Sequence, residues 1–113
     1  MVHYAIASLF HWSKREDCTN RQKSIGCWQI SRCYALVGNL EQAEKYDKLC
    51  LEFSENEEPF YLSYAHEALA RTAALAGKTE EKNKYIKIAR NLAKKIKEKD
   101  EKELILADLI TIT

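Results

Sequence analysis

Apolar residues recur at helical spacing along most of this chain. The clearest stripe consists of Ala43, Tyr46, Cys50 and Phe53, which fall at i, i+3, i+7 and i+10. That spacing puts the four side chains on one narrow face of an α-helix. Similar but less regular patterns predict about six helices, at about residues 2–14, 20–37, 40–55, 60–76, 79–99 and 101–110.

The residues between these segments are typical of helix ends. Gly38 and Gly77 readily adopt the left-handed conformation that ends a helix. Pro59 suits a first helical turn, and Asp100 followed by Glu103 resembles a capping box. Because only one or two residues separate each of the two glycines from the next helix, the connections predict antiparallel helical hairpins.

A 39-residue repeat relates the two hairpins. Residues 32–48 align with residues 71–87, with eight identities in seventeen positions. The identical pairs are Arg32/Arg71, Ala35/Ala74, Leu36/Leu75, Gly38/Gly77, Glu41/Glu80, Lys45/Lys84, Tyr46/Tyr85 and Lys48/Lys87. A fixed period of about 20–50 residues indicates stacked supersecondary units. We therefore predict one all-α domain over residues 1–113, a short right-handed stack of antiparallel helix hairpins with repeat units at about 20–58 and 59–99 and flanking helices at 2–14 and 101–110.

Composition narrows the class of protein. The 113 residues are 46% apolar and 31% charged, with one Pro and three Gly, which is typical of a soluble helical domain. The net charge of +1 gives the whole molecule little attraction to nucleic acid or to an anionic membrane. No apolar run approaches the roughly 18–20 residues that span a bilayer, and the first residues do not resemble a secretory signal. We expect a cytoplasmic protein.

The sequence shows no pattern of catalytic or metal-binding residues. The four cysteines, at positions 18, 27, 33 and 50, form neither a CxxC pair nor a zinc-finger spacing, so we expect reduced and mostly packed thiols. The three histidines and the scattered acids match no HExxH, P-loop or GxSxG motif. The sequence therefore predicts no enzyme and no cofactor.

Several positions resemble the tetratricopeptide (TPR) repeat family. In the first repeat, Gly38 resembles the small residue that closes helix A, Ala43 the small residue of helix B, and Tyr34 the mid-helix aromatic residue. In the second repeat, Ala70, Gly77 and Ala89 resemble small positions, whereas Lys82 replaces the expected Ala and no Pro ends the unit. The resemblance implies a helical stack that binds a partner on a concave surface formed by the A helices, without catalysis.

The chain is also similar, over about residues 4–112, to small bacterial TPR-type proteins whose activity is unassigned. The similarity lies in a W-x-x-x-R-x-Y-A-x-x-G stretch from Trp28 to Gly38 and an E-A-L-A-R-x-A stretch from Glu67 to Ala73. It implies a repeat protein and no particular ligand.

Arg32 and Arg71 are equivalent residues of the two repeats, and two interpretations of them stand side by side. If both lie on the concave side, near Glu67, their guanidinium groups can clamp a partner's carboxylate, because the planar fork of Arg binds carboxylate in a bidentate manner. Alternatively, Arg71 pairs with Glu67 at i, i+4, and Arg32 packs over Trp28.

Trp28 and Tyr64 also have two interpretations, as recognition aromatics or as ordinary core residues. Together with Arg32, Glu67 and Arg71 they form the predicted partner-binding set. The leading hypothesis is a module that binds a protein or peptide segment, including an acidic one, in the groove between the second and fourth predicted helices.

Two other hypotheses use other parts of the chain. Helix 79–99 carries many basic residues, which suit either a nucleic-acid contact or a solvated face, and the solvated face is the more common case. The apolar residues near the C-terminus suit pairing between two copies in a homo-oligomeric scaffold. These residues are Leu104, Ile105, Leu106, Leu109, Ile110 and Ile112.

Overall fold

A computed structural model describes residues 19–112, which form five α-helices. Their bounds are α1 Asn20–Leu36, α2 Leu40–Ser54, α3 Pro59–Leu75, α4 Thr79–Ala93 and α5 Lys99–Ile110. The predicted all-α class is confirmed, and within residues 19–112 the structure contains no strand. The predicted helix at 2–14 lies outside the described residues.

The turns that end α1 and α3 are the same turn used twice. Gly38 has φ +81° and Gly77 has φ +75°, the left-handed conformation expected of both. In each turn the residue after the glycine donates a backbone hydrogen bond to the preceding helix. The Asn39 N–H donates to the Tyr34 carbonyl and the Lys78 N–H to the Ala73 carbonyl, both at 2.9 Å. These bonds satisfy carbonyl groups that the helix end leaves free.

Packing follows the order of the hairpins. Helix α1 packs on α2 and α3, α3 packs also on α2 and α4, and α5 packs on α3 and α4. Small side chains occupy the contacts, with Ala43, Ala65, Ala70, Ala89 and Ala93 all fully buried. Because alanine side chains are small, they allow neighbouring helices to pack closely. The larger aromatic residues are half-buried, at the edges of these contacts.

The fifth predicted helix ends six residues earlier than expected, at Ala93 instead of Lys99. Two tight bonds, from the Lys95 N–H to the Leu92 carbonyl and from the Ile96 N–H to the Ala93 carbonyl, turn the chain. Ile96 then enters the core next to Ala93. Burying this side chain ends the helix without Gly or Pro, so no sequence signal marked the bend.

Helix α5 begins two residues earlier than predicted. Its N-cap is Glu98 without a side-chain hydrogen bond, and Asp100 lies inside the first turn, so the predicted capping box at Asp100 is wrong. Ile105, Leu109 and Ile112 are buried against α3 and α4, so half of the apolar residues considered for pairing between copies are used within the molecule.

None of the helices in residues 19–112 has both the length and the apolar character that crossing a membrane requires.

Candidate functional site

An apolar groove opens along α3, between α1 and α5. Its volume is about 420 Å³, and Ser24, Cys50 and Asp108 also line it. We call it the aromatic groove, after the large side chains that form most of its wall: Ile25, Trp28, Phe60, Tyr61, Tyr64 and Leu104.

The rings of the aromatic groove support one another. The ring centroids of Trp28 and Tyr64 are 5.5 Å apart and those of Phe60 and Tyr64 are 5.2 Å apart, both edge to face. This arrangement is favourable because the positive edge of one ring meets the negative face of the next. All three rings are half-buried, while Ile25 is 37% and Leu104 53% exposed. The wall is therefore supported by contacts between its own rings and is still open to solvent.

Next to the groove, the Glu67 carboxylate has no exposed surface and contacts three groups, the Trp28 indole and the guanidinium groups of Arg71 and Arg32. The indole Nε1–H of Trp28 donates to Glu67 Oε2 at 2.8 Å. Arg71 donates from Nε at 2.9 Å to Glu67 Oε1, and its Nη2 lies 2.8 Å from the same oxygen. Such charge-assisted bonds compensate for the cost of burying the Glu67 carboxylate.

Arg32 contacts the same carboxylate more loosely. Its Nη1 lies 3.7 Å from Glu67 Oε1, and its Cζ lies 5.5 Å from the centre of the Trp28 ring, a cation–π distance. The Arg32 side chain is 36% exposed, compared with 18% for Arg71. We call Arg32, Glu67 and Arg71 the charge cluster. Its formal charge is +1, and Arg32 is its most exposed member.

Polar contacts from Tyr64 and Arg71 of α3 reach the C-terminal end of α5 and the residue after it. Arg71 Nη2 donates to Thr111 Oγ1 at 2.9 Å and lies 3.4 Å from the Asp108 carbonyl oxygen. The Tyr64 hydroxyl donates to the Asp108 carboxylate. Burial, followed by this bond to a carboxylate, raises the pKa of Tyr64 above its ordinary value.

The structure brings all five predicted partner-binding residues together. The intramolecular contacts expected under the second interpretation, Arg71 with Glu67 and Arg32 with Trp28, are both present. Sequence reasoning missed the bond between Trp28 and Glu67, although the spacing of 39 residues between them was available as a signal. It also missed the contributions of Tyr61 from α3 and Asp108 from α5 to the groove.

Behind the charge cluster lies a second buried carboxylate, which the sequence analysis did not identify. Asp47 of α2 has no exposed surface and accepts hydrogen bonds from Ser31 of α1 and, at 2.6 Å, from Thr72 of α3. Burial raises the pKa of Asp47 to about 6, against the lowering effect of the two hydroxyl bonds. The buried side chain of Asp47 therefore links α1, α2 and α3.

The buried cysteines have unreactive surroundings. Burial raises the pKa of both Cys27 and Cys50 to about 12, so their thiols stay protonated near neutral pH. Cys33 is a free, half-buried thiol. Within residues 19–112, no three His, Cys, Asp or Glu side chains are placed to hold a metal ion.

The basic residues of the predicted helix 79–99, which in the structure belong to α4, the segment after it and the first residue of α5, mostly face solvent. Seven of the eight are exposed, with Lys82 half-buried. The exposed ones are Lys84, Lys87, Arg90, Lys94, Lys95, Lys97 and Lys99.

No protein-family model, curated protein or solved structure matches this chain. The TPR resemblance therefore remains a prediction.

Proposed function

We propose that the protein is a non-enzymatic, TPR-like binding module whose aromatic groove receives a protein or peptide segment. The segment carries a bulky apolar side chain close to an acidic one. The observation that carries this proposal is the position of the charge cluster at the edge of the aromatic groove, with Trp28 belonging to both.

The proposed preference for a bulky apolar side chain in the partner follows from the wall of the groove. A volume of about 420 Å³ is within the range of ligand sites, which are typically apolar with a few polar groups. Leu104 and Ile25 are large apolar residues that remain partly exposed at this groove. Covering them with a partner's apolar side chain is favourable at roughly 25 cal/mol per Å².

The proposed preference for an acidic side chain in the partner follows from the charge cluster. Arg71 donates hydrogen bonds to Glu67 and Thr111, whereas Arg32 approaches the carboxylate only to 3.7 Å and otherwise contacts the face of the Trp28 ring. Arg32 is therefore the group that offers its donors to a partner's carboxylate. Glu67 is fully buried and holds Trp28 and Arg71 in place. In this proposal Trp28, Arg32 and Tyr64 contact the partner, and Glu67 and Arg71 position them.

The thiols support a cytoplasmic location. Cys27, Cys33 and Cys50 are free, and such thiols persist in a reducing compartment.

Selection of peptides from a random display library tests the proposal. We expect the selected peptides to combine a large apolar residue with Asp or Glu within about three positions, and to bind with micromolar affinity measured by fluorescence anisotropy. Leu104→Glu should abolish binding by placing a charge in the groove, and Arg32→Ala should weaken it about tenfold. Lys87→Ala is the matched control for Arg32→Ala, because it removes an exposed positive charge from α4.

Two results would contradict the proposal. Selected peptides without acids, or equal loss in Lys87→Ala and Arg32→Ala, would show that the charge cluster does not select the partner. Binding that falls as protein concentration rises, with a doubled mass by light scattering, would assign the groove to a second copy of the chain.

A further inference from the structure

The buried carboxylate of Asp47 lies directly behind the charge cluster. Its two hydroxyl partners, Ser31 and Thr72, are the sequence neighbours of Arg32 and Arg71. A gap of about 10 Å³ between α1 and α3 is lined by these two hydroxyl residues together with the charge cluster of Arg32, Glu67 and Arg71. Asp47 is therefore hydrogen-bonded to the residue before Arg32 and to the residue after Arg71.

Asp47 has no cationic partner of its own among the described residues, in contrast to Glu67, which has two. The charged groups that face it from the surrounding helices are mostly acidic: Glu67 of α3, and Glu41, Glu44, Lys78 and Glu81 along the cleft between α2 and α4. The charges of Glu67 and Glu44 both raise the pKa of Asp47. Glu67 is thus the member of the charge cluster whose charge acts on Asp47.

The protonation state of Asp47 changes the formal charge behind the groove. When Asp47 is ionised, its charge and that of Glu67 cancel the two positive charges of Arg32 and Arg71. When Asp47 is neutral, the same group of four residues carries +1. A partner's carboxylate next to Arg32 meets a more positive site in the second state, and by linkage its binding favours proton uptake.

We propose that the groove binds an acidic segment together with a proton, and that Asp47 is the positioning residue that takes up this proton. The inference rests on the proposed function of the groove. It adds that affinity for an acidic segment increases on mild acidification, from pH 7.5 to pH 5.5. The segment's own Asp and Glu, with ordinary pKa values of about 4, stay largely ionised over this range.

The test uses one peptide from the display selection, labelled with fluorescein, and the full-length chain. For the wild type we expect binding about fivefold tighter at pH 5.5 than at pH 7.5, a factor typical of coupling between sites. Asp47→Asn, which keeps two hydrogen-bonding atoms and removes the charge, should bind tightly at both pH values. Glu52→Gln is the matched control, because Glu52 is an exposed acid on the same helix, and this variant should follow the wild type.

His66 of α3 is a second titratable group, and burial together with the nearby Lys84 lowers its pKa. It is present in every variant, so the comparison of Asp47→Asn with the wild type isolates Asp47. An unchanged pH dependence in Asp47→Asn would overturn the inference while leaving the proposed function intact.

A measurement without peptide tests the coupling separately. The Trp28 indole N–H resonance, assigned with a Trp12→Phe variant, should shift with a midpoint near the Asp47 pKa of about 6. The shift should vanish in Asp47→Asn. Thr72→Val should move the midpoint to higher pH, because the Thr72 hydroxyl favours the ionised carboxylate. A Trp28 resonance that does not change with pH in the wild type would overturn the inference even if no peptide were selected.

Discussion

Trp28 and Glu67 occupy the same position in successive repeats, 39 residues apart, and they bond directly to each other at 2.8 Å. The equivalent arginines, Arg32 and Arg71, lie one helical turn further along α1 and α3 and both approach the same Glu67 carboxylate. The repeat has thus placed an aromatic donor on one helix opposite an acid on the next. This side-chain network joins the two hairpins across the α1–α3 contact.

Replacing Trp28 by Phe tests the contribution of the indole N–H. Phe keeps an aromatic ring against Tyr64 but leaves the buried Glu67 carboxylate without one of its donors. We expect the free energy of unfolding, measured with urea, to fall by about 2 kcal/mol, the range for a hydrogen bond to a charged group.

A double-mutant cycle separates this bond from packing. In a Glu67→Gln background the effect of Trp28→Phe should fall below about 1 kcal/mol, because the charged acceptor is gone. An equal loss in both backgrounds would attribute the effect to ring size alone.

The two arginines should have unequal effects on stability. Arg71→Ala removes the closest partner of a fully buried carboxylate and the bond to Thr111, so we expect a loss of about 3 kcal/mol. Arg32→Ala removes a 3.7 Å contact and a cation–π contact at a partly exposed site, and should cost less than about 1 kcal/mol. Thermal unfolding followed by circular dichroism measures both. Equal destabilisation would mean that Arg32 is as structural as Arg71.

The sequence was sufficient to predict features that local conformation and periodicity determine. Gly38 and Gly77 marked two helix ends because an L-residue with a side chain rarely adopts a positive φ. The stripe along α2 was also predicted correctly, with Ala43 and Cys50 fully buried and Phe53 packed beside them.

Features that depend on long-range packing were not predictable in this way. The end of α4 follows from the burial of Ile96 against helices distant in sequence, and the segment that contains it has the composition of a continuing helix. Asp47 reads as one more surface acid, because its partners Ser31 and Thr72 come from other helices. The aromatic groove likewise requires α5, whose position over α3 no local pattern specifies.

Substitutions at Gly38 and Gly77 test whether the equivalent turns of the two repeats contribute equally to stability. An added Cβ at Gly38 or Gly77 meets no atom within 4 Å, so only backbone strain opposes substitution. We expect Gly38→Ala and Gly77→Ala each to lower the free energy of unfolding by about 1 kcal/mol, and their effects to add. Substitution by Asn, which tolerates positive φ, should cost less. A large loss for one Ala variant and none for the other would show that the two turns do not contribute equally.

Asp47→Asn should stabilise the folded protein at pH 7. The folded-state pKa of about 6 lies above the ordinary value of 3.8, so the native state binds a proton more tightly than the unfolded state. Stability from this group is complete below pH 4 and declines as the pH rises through 6. At pH 7 the ionised carboxylate costs about 3 kcal/mol, at 1.36 kcal/mol for each pKa unit. Asn avoids this cost and retains contacts with Ser31 and Thr72.

Urea unfolding at pH 4.5, 5.5, 6.5 and 7.5 measures the difference. The advantage of Asp47→Asn over the wild type should grow with pH, and the Glu52→Gln control should show no such growth. A variant less stable than the wild type at pH 7.5 would mean that the two hydroxyl bonds need a full negative charge. Asp47 would then stabilise the three-helix junction, although burial disfavours its ionised form.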